Sequence, residues 1–179
     1  MEIGLNNHLC YRLYVASRLI VQGYAEGLQS LGMTYPKYLV LLVLEENRGM
    51  TVNQLGEILS LDSGTLSPLL KSLLKMGYIR RERLPADERT VLNRITPAGK
   101  IVCNKAKKVA YGLYEQTELS REDHLELCQL MDDFVSRCKK ILNKRSTYEK
   151  SRNIKENKNR RVGVGHRKSV RGHSTGRNL

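Results

Sequence analysis

The apolar period of this chain changes at Gly77 and changes back at Pro97. Up to Gly77 the apolar residues recur at intervals of three and four, the spacing of helices packed by one face. Tyr78 to Leu84 and Thr90 to Ile95 break that spacing and read as two strands, with Pro85, Ala86, Asp87, Glu88 and Arg89 as the turn between them. A lone two-stranded hairpin is barely stable in water, so this one must lean on the helices around it. The expected fold class is therefore mainly α with a small β-hairpin.

The helices follow from spacing and caps. Leu9, Leu13, Ala16, Ile20 and Tyr24 mark a first helix ending near Gly32. Pro36 suits the first turn of a second, which runs through Leu44 and stops before Gly49. Thr51 caps a short third with Val52, Leu55 and Leu59 inward, and Asp62 caps a fourth from Ser63 to a stop at Gly77. A fifth runs from about Pro97 to Leu119. Ser120, with Asp123 three residues on, caps the last, whose stripe is Leu127, Leu130, Met131, Phe134, Cys138, Ile141 and Leu142. There is no internal repeat.

Charge divides the chain. Residues 144–179 hold 12 Lys or Arg against 2 Glu, so most of the net +13 sits in the last fifth. Such a segment cannot bury enough apolar surface to offset ordering entropy, and residues 144–179 are expected to be a disordered basic tail. An acidic partner is implied, double-stranded DNA foremost. The longest apolar run, Tyr38 to Leu44, is far below the ~18 residues of a membrane span, and the N-terminus has no signal-peptide pattern. The expected place is the cytoplasm, with no membrane partner, where four cysteines outside any CxxC pair stay reduced.

Short helix, tight connection, second helix and hairpin over residues 51–96 is the order of a winged helix-turn-helix. The second helix opens on Ser63, Gly64, Thr65 and Ser67, small residues that can approach base edges and phosphates at a helix N-terminus, with Pro68 beside them. Lys71 lies on its flank for backbone contacts. Arg80, Arg81, Arg83, Arg89 and Arg94 crowd the hairpin, with Arg89 at or beside the tip and Asp87 placed to orient it. A cationic hairpin is often only a solvated edge, but an Arg at a wing tip can also enter the minor groove.

The stretch Leu61-Asp-Ser-Gly-Thr-Leu-Ser-Pro-Leu-Leu-Lys71, followed by Asp87-Glu-Arg89, resembles the MarR family of dimeric winged-helix transcription regulators. Asn7-His-Leu-Cys10-Tyr-Arg-Leu-Tyr14 and Leu31-Gly-Met-Thr-Tyr-Pro-Lys-Tyr-Leu-Val-Leu-Leu42 are similar to its OhrR-like, organic-hydroperoxide-sensing branch. The resemblance covers about residues 5–142. It implies a domain over 1–143, with the winged helix-turn-helix at about 35–96 and dimerisation helices at about 5–31 and 97–142. It also implies that Cys10 is the peroxide-sensing thiol and that Tyr24 and Tyr35 bond to it, with Tyr14 one turn after Cys10. Arg12 departs from the family, standing where an apolar residue is usual, and the basic tail matches nothing in it.

Spacing adds a constraint of its own. Tyr14 shares a helix face with Cys10. Tyr24 is fourteen positions on, ~21 Å along a straight helix, so it can meet only the Cys10 of a second chain. Oxidation to a sulfenic acid leaves a resolving thiol open among Cys103, Cys128 and Cys138, or a small external thiol. Cys138 lies on the apolar stripe of the last helix, where a packed thiol is the plainer reading. His124 and Cys128 have i, i+4 spacing, but two ligands make no zinc site, and no metal or cofactor is expected. No nucleophile, base and acid stand in an enzymatic pattern, so the chain is not read as an enzyme.

The functional expectation is a homodimeric, sequence-specific repressor on a pseudo-palindromic operator, switched by oxidation of Cys10. Two alternatives stand beside it: release by a small phenolic or apolar effector, and a non-specific nucleic-acid binder dominated by its basic tail.

Overall fold

The computed structural model describes residues 4–84 and 87–165. Six α-helices and one two-stranded antiparallel sheet run in the order α1 (Leu9–Gln29), α2 (Tyr35–Glu46), α3 (Val52–Leu59), α4 (Ser63–Lys75), β1 (Ile79–Leu84), β2 (Asp87–Ile95), α5 (Pro97–Gln116) and α6 (Arg121–Gly165). No helix among the described residues is long and apolar enough to cross a membrane. The chain forms two compact units, Met1–Glu118 and Leu119–Leu179.

Capping explains where the helices of the first unit begin. Thr51 and Gln54 form a reciprocal capping box on α3, the Thr51 Oγ1 accepting from the Gln54 amide. Asp62 caps α4 and Thr96 caps α5, each accepting from the backbone three residues on. Gly32 and Gly77 take positive φ just after α1 and α4, where a side chain would be strained.

The core of this unit gathers Leu28 of α1, Tyr38, Val40, Leu41 and Leu44 of α2, Leu55 of α3, Leu66, Leu70 and Leu73 of α4, Ile79 of β1, and Cys103 and Ala106 of α5. Each fully buried leucine contributes about 1.5–3 kcal/mol relative to an exposed one. Close approach replaces bulk where α1 crosses α5. A Cβ at Gly23 would sit 2.7 Å from a Leu113 methyl, and one at Gly27 would sit 2.5 Å from a Val109 methyl.

The hairpin is anchored at its root. Ile79 pairs with Ile95 and Arg80 with Arg94, and Met50 adds an antiparallel bridge to Asn93 through two backbone hydrogen bonds of 3.0 and 2.8 Å. Asn93 is fully buried, and its Nδ2 donates to the Met50 carbonyl at 3.2 Å. This ties the wing to the segment that leads into α3.

Two expectations are corrected. The second strand begins at Asp87, not Thr90, so Asp87 and Arg89 belong to β2 rather than to the turn. The register jumps between Arg83, opposite Val91, and Leu84, opposite Asp87. The bulged ladder lets extra residues of β2 join the sheet without continuing the plain alternation read from sequence. The tail is the second correction. Residues 144–165, expected to be disordered, continue α6 as helix to Gly165, while 166–179 lie outside the described residues. The reading weighed burial alone, whereas no Pro or Gly interrupts residues 121–162 and most of their residue types favour helix.

In the second unit, Ser120 and Asp123 cap α6 as expected. Leu127, Leu130, Ile141 and Leu142 of its stripe are exposed, as is Leu125 beside them, and Met131, Phe134 and Cys138 are half-buried.

A Cβ at Gly99 would lie 2.1 Å from the Tyr78 carbonyl oxygen, whereas one at Gly112, on the same helix, meets nothing within 4 Å. Gly99→Ala is expected to destabilise the fold by about 1–3 kcal/mol, and Gly112→Ala to stabilise it by up to about 1 kcal/mol. Urea denaturation of the two variants checks the pair.

Candidate functional site

Two groups of residues stand apart from the general packing, one on the helix-turn-helix and wing, the other along α1 and the start of α2.

The first begins at the N-terminus of α4. The Asp62 carboxylate accepts from the Thr65 amide at 2.9 Å and from the Thr65 Oγ1 at 2.8 Å. Those hydrogen bonds, the hydroxyl's first, hold its carboxyl below the usual range, so the cap stays ionised. A Cβ at Gly64 would sit 2.9 Å from the Asp62 Oδ1. Glycine therefore leaves the cap undisturbed and the backbone bare.

Ser63, Gly64, Thr65, Pro68 and Lys71 are all exposed, while Ser67 is half-buried and its Oγ donates to the Ser63 carbonyl at 2.6 Å. Thr65 and Ser67, singled out as readers, thus spend their hydroxyl protons within the helix, although their oxygens can still accept. Pro68 has no N–H for the Gly64 carbonyl one turn back, which leaves that acceptor outside the helical ladder. This end of α4 is small and bare enough for close approach.

The wing sorts its arginines. Alternation puts Ile79, Arg81 and Arg83 on one face with Val91, Asn93 and Ile95, and Arg80, Glu82, Leu92 and Arg94 on the other. Arg94 Nε lies 2.6 Å and Arg80 3.7 Å from the Glu82 carboxylate, so those two cations share an anion. Arg81 and Arg83 are exposed and have no ion-pair partner among the described side chains. Of Asp87 and Arg89 only the backbone is described. The face that is buried at the root becomes cationic toward the tip.

The second group is divided along α1. Cys10 lies in the first turn, exposed, with the His8 Nδ1 accepting from the Tyr11 amide at 3.2 Å as the helix cap. Tyr14 follows one turn later, exposed, and its hydroxyl accepts from Arg18 at 3.2 Å while the guanidinium sits 5.8 Å from the ring centroid. At the far end of α1, Tyr24 packs against Tyr35 with ring centroids 4.7 Å apart, and Tyr38 closes the cluster at 6.0 Å from Tyr24 and 6.4 Å from Tyr35.

Burial pushes all three phenols up, Tyr38 to about 12. They are therefore proton donors at neutral pH. Cys10 and Tyr14 share one end of α1; Tyr24 and Tyr35 share the other, ~21 Å away along the axis. Tyr38 and Arg18 were missed in the sequence. Each stands at i+3 or i+4 from a residue that was named, Tyr35 and Tyr14 respectively, so helical spacing carried the signal.

The remaining thiols differ sharply. Cys103 is fully buried, and its Sγ–H points to the Glu45 carboxylate at 3.4 Å, which also holds Lys107 Nζ at 2.5 Å. Burial, then the Glu45 charge, push this thiol up to about 12. Such a group is neither accessible nor a ready thiolate, and it is a poor resolving thiol. Cys138 is half-buried. Cys128 is exposed, with its Sγ 3.6 Å from the His124 Nε2.

Residues 31–90 match the profile of the MarR family. The Organic hydroperoxide resistance transcriptional regulator of Bacillus subtilis is 42% identical over 126 residues, which span 70% of this chain and 86% of that one. The HTH-type transcriptional regulator SarZ of Staphylococcus epidermidis is 34% identical over 133 residues, 74% of this chain and 90% of the relative. Among solved structures, reduced AbfR bound to DNA superposes with a TM-score of 0.60 at 32% identity, covering 74% of this chain and 93% of that one. AbfR is a protein of Staphylococcus epidermidis.

Two measurements follow. Iodoacetamide at about pH 8, near the pKa of a free thiol, should leave Cys103 unlabelled in the native protein and label it in urea; native labelling would contradict its burial. On duplex DNA, Lys71→Ala should reduce the slope of log affinity against log salt by about one. Arg81→Ala should weaken binding more than Arg80→Ala, whose cation is already shared with Glu82.

Proposed function

The chain belongs to the MarR family of DNA-binding transcription regulators, and from that premise we propose that it is a homodimeric repressor whose affinity for a pseudo-palindromic operator is switched by oxidation of Cys10. It is a regulator, not an enzyme, and the thiol reacts once per signal. The relative of Bacillus subtilis named for organic hydroperoxide resistance supports hydroperoxides as the oxidant class.

The observation that carries this reading is the separation of Cys10 from the tyrosines. Tyr24, Tyr35 and Tyr38 form a protonated, half-enclosed cluster that the thiol of the same chain cannot reach. An antiparallel pairing of two α1 helices about a two-fold axis brings Tyr24 of each chain to Cys10 of the other. The exposed apolar series of α1 (Leu9, Leu19, Ile20 and Val21) and of α6 supports such an interface, since uncovered faces of that size favour a partner.

The chemistry then balances as follows. The Cys10 thiolate attacks the distal oxygen of a hydroperoxide. The S–O bond forms as the O–O bond breaks, and the alkoxide leaves as an alcohol after taking a proton. The sulfenic acid is attacked by a second thiolate: the S–S bond forms as the S–O bond breaks, and the hydroxide leaves as water after taking a proton. Cys128 is the better placed resolving candidate, being exposed and next to an imidazole, ahead of Cys138 and Cys103. A small external thiol is the other route.

Ser63, Gly64, Thr65, Ser67 and Pro68 of α4 are assigned to the major groove, where the Pro68 ring suits a thymine methyl. Lys71 meets phosphate. Arg81 and Arg83, with Arg80, approach the adjoining backbone and minor groove, and Arg89, oriented by Asp87, lies nearest the wing tip. Oxidation at the shared interface changes the spacing of the two α4 helices, which must match half-sites about 10 bp or a multiple of it apart.

With wild type, cumene hydroperoxide should lower operator affinity at least about tenfold, or 1.4 kcal/mol; Cys10→Ser should bind equally well and ignore the oxidant. An oxidant response that survives Cys10→Ser would overturn the thiol switch. Release of both proteins by a phenolic compound alone would favour an effector-binding regulator. A stable monomer in sedimentation at micromolar concentration would overturn the composite site.

A further inference from the structure

The extension of α6 beyond Leu142 has no part in the reading above. Its apolar series stops at Leu142, yet the helix continues to Gly165. From Lys144 to Arg161 the chain carries eight Lys or Arg and two Glu, over ~25 Å of helix.

These charges are not scattered. At about 100° per residue, Lys144, Arg145, Lys150, Arg152, Lys155, Lys158 and Arg161 fall within one arc of about 220°. Glu149 and Glu156 are seven residues apart and occupy nearly the same angle, in the gap outside that arc, with Arg160 beside them and Arg145 at the edge of the arc. The two Glu also stand four residues from Arg145, Arg152 and Arg160, the spacing at which opposite charges support an isolated helix. A helix with no apolar seam to hold it is thereby favoured by its own charge pattern.

We infer that the α6 extension is a second DNA contact, a preformed cationic helix that binds the phosphates of duplex DNA without reading sequence. The occupant follows from chemistry. Seven cations along ~25 Å complement a duplex, which carries one negative charge per ~1.7 Å of axis. A membrane surface requires an apolar face, and Tyr148, Ile154 and Val162 do not make one. Single strands are gripped by aromatic stacking, and Tyr148 is the one aromatic residue in the segment. The inference rests on the DNA binding of the family and not on the thiol switch.

The test uses the full-length chain on a duplex of random sequence, between about 50 and 200 mM salt. One variant carries Gln at Lys144, Arg145, Lys150, Arg152, Lys155, Lys158 and Arg161. A slope of log affinity against log salt flatter by at least about 3 per chain is expected, at about 0.9 per phosphate released. The operator-to-random affinity ratio should hold or rise, and the hydroperoxide response should persist, which separates this result from any failure of the Cys10 reading. An unchanged slope overturns the proposal. So does an unchanged duplex slope with lost binding to single-stranded RNA, which would make RNA the partner. In a second variant, Asn153→Pro breaks the helix while keeping every charge. It should flatten the slope partway, and a slope as steep as wild type would overturn the helical arc as the binding element.

Discussion

The amide of Asn93 is the joint on which the DNA-facing half of the molecule depends. It is fully buried, donates to the Met50 carbonyl, and sits between the two backbone hydrogen bonds that join Met50 to β2. The Met50 carbonyl also accepts from the Asn93 backbone N–H, so the side-chain bond adds about 0.5–1.5 kcal/mol to a joint that the backbone pair already makes. That joint sets the wing against the entry to α3, and α3 is tied to α4 by a short turn with Ser60 in the left-handed region. The bare start of α4 and the cationic face of the wing are thus held by one rigid unit. The switch proposed above requires such rigidity, because a floppy reader would not register a change in spacing.

The chain treats its thiols and phenols by environment rather than by number. Cys103 is walled in and pushed up to about 12 by burial and Glu45, which makes it inert at neutral pH. Tyr24, Tyr35 and Tyr38 are kept protonated by the same kind of burial and so remain donors. Cys10 is exposed at the end of α1 remote from them. Under the proposed chemistry, thiol and phenols so divided would meet only between two chains, which is why that proposal requires a dimer. The charge on α6 follows a similar logic. A cationic helix adds affinity that any sequence can draw on, while selectivity stays with α4.

Much of this was legible in the residues. Thr51, Asp62, Thr96 and Ser120 announced their helices because a cap is a local hydrogen bond, made within three residues. The leucines of α4 announced a buried face by period alone. Gly77 announced the change from helix to wing. The bulge between Arg83 and Leu84 was not legible, since register is decided by pairing across the sheet and not along one strand. Nor was the helix beyond Asn143, where a reading based on burial overlooked a backbone with nothing to stop it.

The candidate site divides along the same line. The sequence by itself determined which residues are candidates for the chemistry: the small start of α4, the arginines of the wing, Cys10, and tyrosines too far along α1 to reach it in one chain. These depend on residue type and on distances along one element, which the covalent chain defines. Only the tertiary structure decided that Cys103 is sealed, that Tyr38 completes the aromatic cluster, and that Glu82 engages Arg80 and Arg94 while Arg81 and Arg83 face solvent. Those outcomes depend on which atoms meet between elements, as Cys103 of α5 meets Glu45 of α2, Tyr38 meets Tyr24 of α1 and Arg94 of β2 meets Glu82 of β1, and on the water that their meeting excludes.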